Sequence, residues 1–322
     1  MARSTSSTPL SVGSVLVLLG TGGTIAGTSS QPDGQSGYRA AQLGVDALLA
    51  GVPRPPGMSV EVEQVAQLDS KDMDHATWQH LAQRCAHHLA RPEVAGLVVT
   101  HGTDTLEETA WFLQRVLAPA KPLVLTAAMR PATALQADGP QNLADAMQLA
   151  GTQCACGVLV VMAGAVHGAR EVRKVHTYRL DAFSSGDAGT IAHIEAGQLR
   201  RHRDWPQGEA LGLARIAEAP AEWPRVEIML SHAGASAGMV QALVADGVRG
   251  LVVAAPGNGS VHQALIEALR LAQAAGVTVW RTTRSPGGVL TGHDHQALPG
   301  APDLSPWQAR IELMLHLLDN KA

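Results

Sequence analysis

Aromatic residues are scarce in this 322-residue chain, which has six tryptophans, two tyrosines and two phenylalanines, 3% of the whole. With so few ring faces and a formal net charge of −4, it has neither the basic stripe nor the stacking platforms by which nucleic acids are held. Long apolar runs are missing too; none reaches the roughly 18 residues that a membrane span needs. Three cysteines, Cys85, Cys154 and Cys156, are odd in number and unevenly spaced, which excludes a disulfide framework and gives no zinc-ligand pattern. Charged residues make up only 16%, against about 25% in an average domain, so a disordered, solvating chain is excluded. Near the N-terminus the apolar stretch Val15–Leu19 is shorter than the roughly 7–15 residues of a secretory core segment and runs straight into a glycine turn. The expected compartment is the cytoplasm.

Hydrophobic residues, by contrast, make up 46%, and glycine is plentiful at 33 residues, the composition of a folded chain with many tight turns. Short β-branched runs recur at Val15–Leu19, Val60–Ala66, Leu97–Thr100, Leu123–Ala127, Val158–Met162, Val226–Leu230, Leu251–Ala254 and Val277–Arg281. Segments rich in Ala, Leu and Gln separate them: Leu43–Leu49, His75–Ala90, Leu106–Leu117, Pro140–Ala150, Met239–Ala245, Val261–Ala274 and Trp307–Leu318. Apolar strands alternating with helices predict a parallel sheet covered on both faces. The expected class is α/β with two α/β domains: a larger N-terminal, doubly wound, mostly parallel sheet and a smaller C-terminal parallel-sheet domain. The charged, proline-bearing stretch before Pro224 breaks the rhythm, which predicts an N-terminal catalytic domain over 1–202, a linker over 203–224 and a C-terminal domain over 225–322.

Ligands of doubly wound folds sit outside the carboxyl ends of the strands. After the first strand comes Gly20-Thr-Gly-Gly-Thr-Ile-Ala-Gly27. The dinucleotide fingerprint fails there because position 25 is Ile, and a phosphate-binding Walker loop fails because Thr28 stands where Lys is required. What the turn offers is two hydroxyls among main-chain N–H groups, the parts of acyl transfer, although plain turn chemistry would account for this motif alone. After the strand at Leu97 comes His101-Gly-Thr-Asp-Thr105. A threonine hydroxyl is a weak nucleophile until a base takes its proton, and His101, Asp104 or a lysine from elsewhere could serve. Asp104 could equally cap the following helix, with Glu107 and Glu108 favourable in its first turn.

At these residues the chain resembles the bacterial-type L-asparaginase family of asparaginase/glutaminase amidohydrolases. Leu18-Leu-Gly-Thr-Gly-Gly-Thr-Ile-Ala26 is similar to that family's first signature, and Gly96-Leu-Val-Val-Thr-His-Gly-Thr-Asp-Thr-Leu106 to its second. Further similarity runs through Ser70–Met73, Glu107–Ala110, Ala128–Pro131, Ala137–Leu143, Gly157–Met162, Gly257–Gly259 and Arg281–Pro286, so it spans nearly the whole chain.

The resemblance implies hydrolysis of L-asparagine to L-aspartate and ammonia through a threonine acyl-enzyme, with glutamine or another small amide as the alternative substrate and no cofactor or metal. Thr24 would be the nucleophile, and Tyr38 would close over it. Ser70 would hold the substrate α-carboxylate and Asp104 its α-ammonium. Thr103 would be a second catalytic hydroxyl linked to Lys174, and the N–H groups of Gly23 and Thr103 would form the oxyanion hole. The resemblance also implies a homo-oligomer, at least a dimer and in the family a tetramer.

The residues themselves fit a lid. Thr28 to Arg39 is a loop of small polar residues carrying one of only two tyrosines, and loops of about a dozen residues are uncommon without a function. An ordinary surface loop is the alternative. Lys174 on its own reads as a solvated charge among Arg170, Arg173 and Arg179.

Departures from the family pattern bear on substrate choice. Lys71 follows Ser70 where relatives commonly have Gln, and could pair with a substrate carboxylate, with Asp104 or with Asp72. Gly234 and His295 stand near positions where a neighbouring subunit commonly contributes an Asn and an acidic residue. An amino-acid-binding or sensing protein on an asparaginase scaffold is the non-enzyme alternative. The amidotransferase members would need an additional N-terminal region, whereas the first strand is predicted by Val15. Of the remaining polar groups, His293 and His295 read as a solvated loop, and His75, His80, His87 and His88 as the surface of a polar helix.

Overall fold

The structure, a computed structural model, describes residues 14–29, 37–291, 298–301 and 303–319. The chain divides into two compact units, Met1–Leu211 and Gly212–Ala322. In the first unit the strands are β1 (Val15–Gly22), β2 (Ser59–Leu68), β3 (Val94–Thr100), β4 (Pro122–Thr126), β5 (Gly157–Met162), β6 (Ala165–Gly168), β7 (Arg173–Lys174), β8 (Phe183–Ser184), β9 (Ala192–Glu195) and β10 (Gln198–Arg201). Its helices are α1 (Val45–Leu48), α2 (His75–Leu89), α3 (Leu106–Leu117) and α4 (Gly139–Ala150). Eight strands form one sheet in the order β10-β9-β6-β5-β4-β3-β1-β2, and β7 pairs with β8 as a separate ribbon.

The parallel part of the sheet, β2-β1-β3-β4-β5, has the order 2-1-3-4-5 of one doubly wound class. Its strands are buried throughout along β1, β4 and β5, which is why they read as continuous apolar runs. Leu16, Leu18, Val98 and Val124 point into a core completed by Val45 and Leu49 from the α1 region and Leu143 and Met147 from α4. Each such side chain contributes roughly 1.5–3 kcal/mol by leaving water. On α2 and α3, Trp78 stacks on Phe112 with ring centroids 5.0 Å apart. Beyond β5 the sheet turns antiparallel through β6, β9 and β10, three short strands that the apolar-run pattern does not predict.

The second unit holds β11 (Val226–Leu230), β12 (Gly250–Ala255) and β13 (Thr278–Thr283) in a parallel sheet in that order, with α5 (Gly238–Ala245), α6 (Gln263–Ala274) and α7 (Pro306–Asp319). Met229, Val240, Leu251, Val253, Leu265, Leu269 and Val279 form its core. Within 203–224, Trp205 joins the first unit's core, and Leu213–Ile216 is a 3-10 turn that contacts α7.

Candidate active site

In a 2-1-3-4-5 sheet the chain leaves β1 toward one neighbour and later returns on its other side, so a crevice opens between the ends of β1 and β3. Both threonine turns stand there. Thr21 Oγ1 donates to Thr100 O at 2.9 Å, pinning the two strand ends together. The chain then passes through Gly22 (φ 104°) and Gly23 (φ 80°), backbone that side-chain-bearing residues rarely adopt, and turns into a single 3-10 turn over Thr24–Ala26. A Cβ on Gly23 would lie 2.4 Å from Gly102 Cα, and one on Gly102 would lie 2.4 Å from Ser70 Oγ. Three segments distant in sequence therefore meet main chain to main chain, and Thr24 and Thr103 are the residues immediately after the two touching glycines.

The hydroxyls have different partners. Thr24 Oγ1 is 2.8 Å from the Tyr38 hydroxyl; Thr24 is buried and Tyr38 is about one-third exposed. Thr28 and Arg39 exchange main-chain hydrogen bonds at 2.9 Å and close the ends of the loop that carries Tyr38; its residues 30–36 lie outside the described residues. The Lys174 ammonium donates to Thr103 Oγ1 at 2.9 Å and to Asp104 Oδ1 at 2.6 Å. Asp104 thus faces the lysine rather than capping α3, whose N-cap, Thr105, makes no side-chain capping bond. Ser70 is buried, and its hydroxyl accepts from the Asp104 N–H at 3.2 Å, while Ser70 O accepts from Thr105 Oγ1 at 2.8 Å.

His101 is fully buried. Its Nδ1 meets Gly102 O at 2.7 Å and its Nε2 meets Thr109 Oγ1 at 3.0 Å, which in turn accepts from Trp78 Nε1 at 2.9 Å. These partners assign the ring proton to Nδ1, and burial lowers the pKa to about 4. Held neutral on both edges, it braces the 101–105 turn and is not a free base. Burial has the opposite effect on Glu107, raising its carboxyl to about 7. Its Oε2 accepts the Lys174 main-chain N–H at 2.8 Å.

Thr24, Tyr38, Ser70, Thr103, Asp104 and Lys174 all lie at this end of the sheet, and two sequence expectations, on the Gly23 N–H and on His88, need amendment. The Gly23 N–H, expected in the oxyanion hole, donates to Leu68 O at 2.9 Å, because the turn extends the pairing of β1 with β2 through Gly22 and Leu68. The Lys71 side chain is exposed and paired with Asp72, one of the three partners expected for it. His88, expected on a surface, is buried, with Nε2 2.7 Å from Glu63 Oε2. Gly234 is an exposed left-handed glycine in the second unit, and His293 and His295 lie outside the described residues. Two contributors escape sequence reasoning. Gly102 is legible only as a small residue between functional ones, and Glu107 reads as one of two first-turn carboxylates.

A nucleophile-sized hydroxyl beside a phenol, and a second beside an amine and a carboxylate, in a crevice at the switch point of the sheet, define an α/β protein equipped for acyl transfer on a small ligand. The family model for the asparaginase N-terminal domain matches residues 15–207, and that for the glutaminase/asparaginase C-terminal domain matches 225–322. L-asparaginase 2 of Bacillus subtilis (strain 168) is 37% identical over 306 residues, covering 93% of this chain and 81% of that protein. A Haemophilus influenzae protein named "probable L-asparaginase periplasmic" is 35% identical over 95% of this chain and 89% of its own length. The crystal structure of the "probable cytoplasmic L-asparaginase" of Campylobacter jejuni superposes with a TM-score of 0.89 at 35% identity, covering 96% of each chain. The chain belongs to the asparaginase family.

Proposed function

We propose that this protein is an L-asparaginase, an amidohydrolase that converts L-asparagine and water to L-aspartate and ammonia through an acyl-enzyme on Thr24. The observation that carries this reading is the main-chain contact of Gly23 with Gly102, which sets the following threonines on one crevice. The Thr24 hydroxyl attacks the side-chain carboxamide carbon, forming the Oγ–C bond and giving up its proton toward Tyr38, 2.8 Å away. The oxyanion is met by the Thr103 N–H; the Gly23 N–H is already held by Leu68. The C–N bond then breaks as Tyr38 relays that proton to the departing nitrogen, which leaves as ammonia. Water, held beside the Thr103 hydroxyl that the Lys174 ammonium fixes (Oγ1 to Nζ 2.9 Å), then attacks the ester carbon; its proton returns through Tyr38 to the departing Thr24 oxygen, freeing aspartate and the Thr24 hydroxyl.

Asp104, half-exposed and paired by one oxygen with Lys174, receives the substrate ammonium, and Ser70 receives the α-carboxylate. The glutaminase/asparaginase description of the C-terminal match favours glutamine as the second substrate. The steps proposed use no cofactor or metal. The assignment extends to a catalytic domain over 1–202, a linker over 203–224, a second domain over 225–322, a cytoplasmic location and a homo-oligomer, dimer or tetramer. Among the described residues no helix is long and apolar enough to cross a membrane. Ammonia release from L-Asn, D-Asn and L-Gln tests the reading. L-Asn is expected to be fastest, and a flat panel would overturn it.

A further inference from the structure

Glu107, near the start of α3, makes a contact that the proposed chemistry leaves unused. It is 5% exposed, and its carboxylate takes the main-chain N–H of Lys174 at 2.8 Å. Lys174 stands on β7, whose partner is β8 and not the eight-stranded sheet, so the large sheet does not set its place. The helix that begins just after Thr103 and Asp104 thus reaches back to hold the lysine that donates to both of them. The helix dipole alone does not account for this burial, because Glu108, in the same first turn, is only partly buried and serves it at less desolvation cost. The charged groups facing Glu107 are Glu108 from its own helix and Arg173 and Lys174 from β7.

We infer that Glu107 is a positioning residue for the proposed amide hydrolysis, its carboxylate fixing the Lys174 main chain so that the ammonium meets Thr103 and Asp104. The inference rests on the asparaginase reading and deepens it by adding a carboxylate that acts through the lysine without touching substrate.

The variants Glu107→Ala and Glu107→Gln, with folding checked by circular dichroism, test it in two ways. In steady-state kinetics with L-Asn, loss of the acceptor in Glu107→Ala lowers kcat about 100-fold, the cost of a misplaced catalytic group. Glu107→Gln keeps an acceptor and recovers kcat to within about tenfold of wild type, with KM changed by less than about threefold in both variants. Wild-type kcat rises with pH through an inflection near 7, as ionisation makes the bond to the Lys174 N–H charge-assisted, and Glu107→Gln lacks that inflection. Independently of activity, amide hydrogen exchange in 170–176 quickens in Glu107→Ala and stays near wild type in Glu107→Gln. A folded Glu107→Ala with wild-type kcat, an inflection that persists in Glu107→Gln, or unchanged exchange would overturn the inference. A wild-type protein that releases no ammonia from any amide, while exchange responds as expected, would instead overturn the asparaginase reading and leave the tether standing.

Discussion

Both units of this chain end their parallel strands in buried polar side chains, and they differ in what those side chains hold. In the second unit the Ser231 hydroxyl accepts from the His262 N–H at 2.9 Å, and Thr283 Oγ1 donates to Gly257 O at 2.7 Å. Thr282 Oγ1 donates to Leu304 O at 2.6 Å, and the buried Arg281 donates to the carbonyls of Leu298, Asn258 and Gly259. In the first unit Thr24 and Thr103 instead meet a phenol and an ammonium. A hydroxyl bonded to a loop carbonyl fixes the loop, whereas one bonded to a titratable side chain can pass a proton on. The partner, more than the residue type, separates scaffold from chemistry on the same architecture.

The contrast is broken most directly by deleting hydroxyls on each side of it. Thr24→Ala or Thr103→Ala is expected to lower kcat for L-Asn roughly 10²–10⁴-fold or more with little change in melting temperature. Either variant retaining wild-type kcat would remove the chemical side of the comparison. Thr282→Val, in the second unit, is expected to do the reverse. Losing one buried hydrogen bond costs about 1 kcal/mol, a drop of about 4 °C in the Tm of the unit Gly212–Ala322, with kcat of the folded protein near wild type.

Between these in size lies a pH effect confined to the first unit. Glu107 has a folded pKa raised from 4.5 to about 7, so the fold is favoured below 4.5 and loses that stability as pH rises through 7, by about 3 kcal/mol. His101 has a folded pKa lowered from 6.5 to about 4, so its contribution is complete above 6.5 and is lost as pH falls through 4. Urea unfolding between pH 4 and 8 should therefore show Glu107→Gln gaining on wild type as pH rises. A difference independent of pH would place the Glu107 carboxyl outside the buried environment described here.

Much of this arrangement is legible in the sequence, and the remainder is hidden for physical reasons. Strands β1, β3, β4 and β5 announce themselves because each is a nearly continuous buried apolar run, and β2 because its valines alternate with polar residues. β6, β9 and β10 do not: Gln198–Arg201 is largely exposed on an edge strand, and four-residue antiparallel strands leave no run to find. The two threonine turns are visible from their composition and from the family resemblance. The contact between Gly23 and Gly102 is tertiary and leaves no local signal, and Glu107 looks like any first-turn carboxylate until the fold returns Lys174 to it. His88 was expected on the surface because its helix is polar in sequence, but the Glu63 carboxylate on β2 supplies a partner 2.7 Å away that makes its burial tolerable.

Rapid quenching of the protein during turnover of L-asparagine, followed by peptide mass spectrometry, tests the central claim most directly. The account predicts an aspartyl ester on the peptide containing Thr24, absent from Thr24→Ala. An adduct on the Thr103 peptide instead, or undiminished ammonia release by Thr24→Ala, would contradict it.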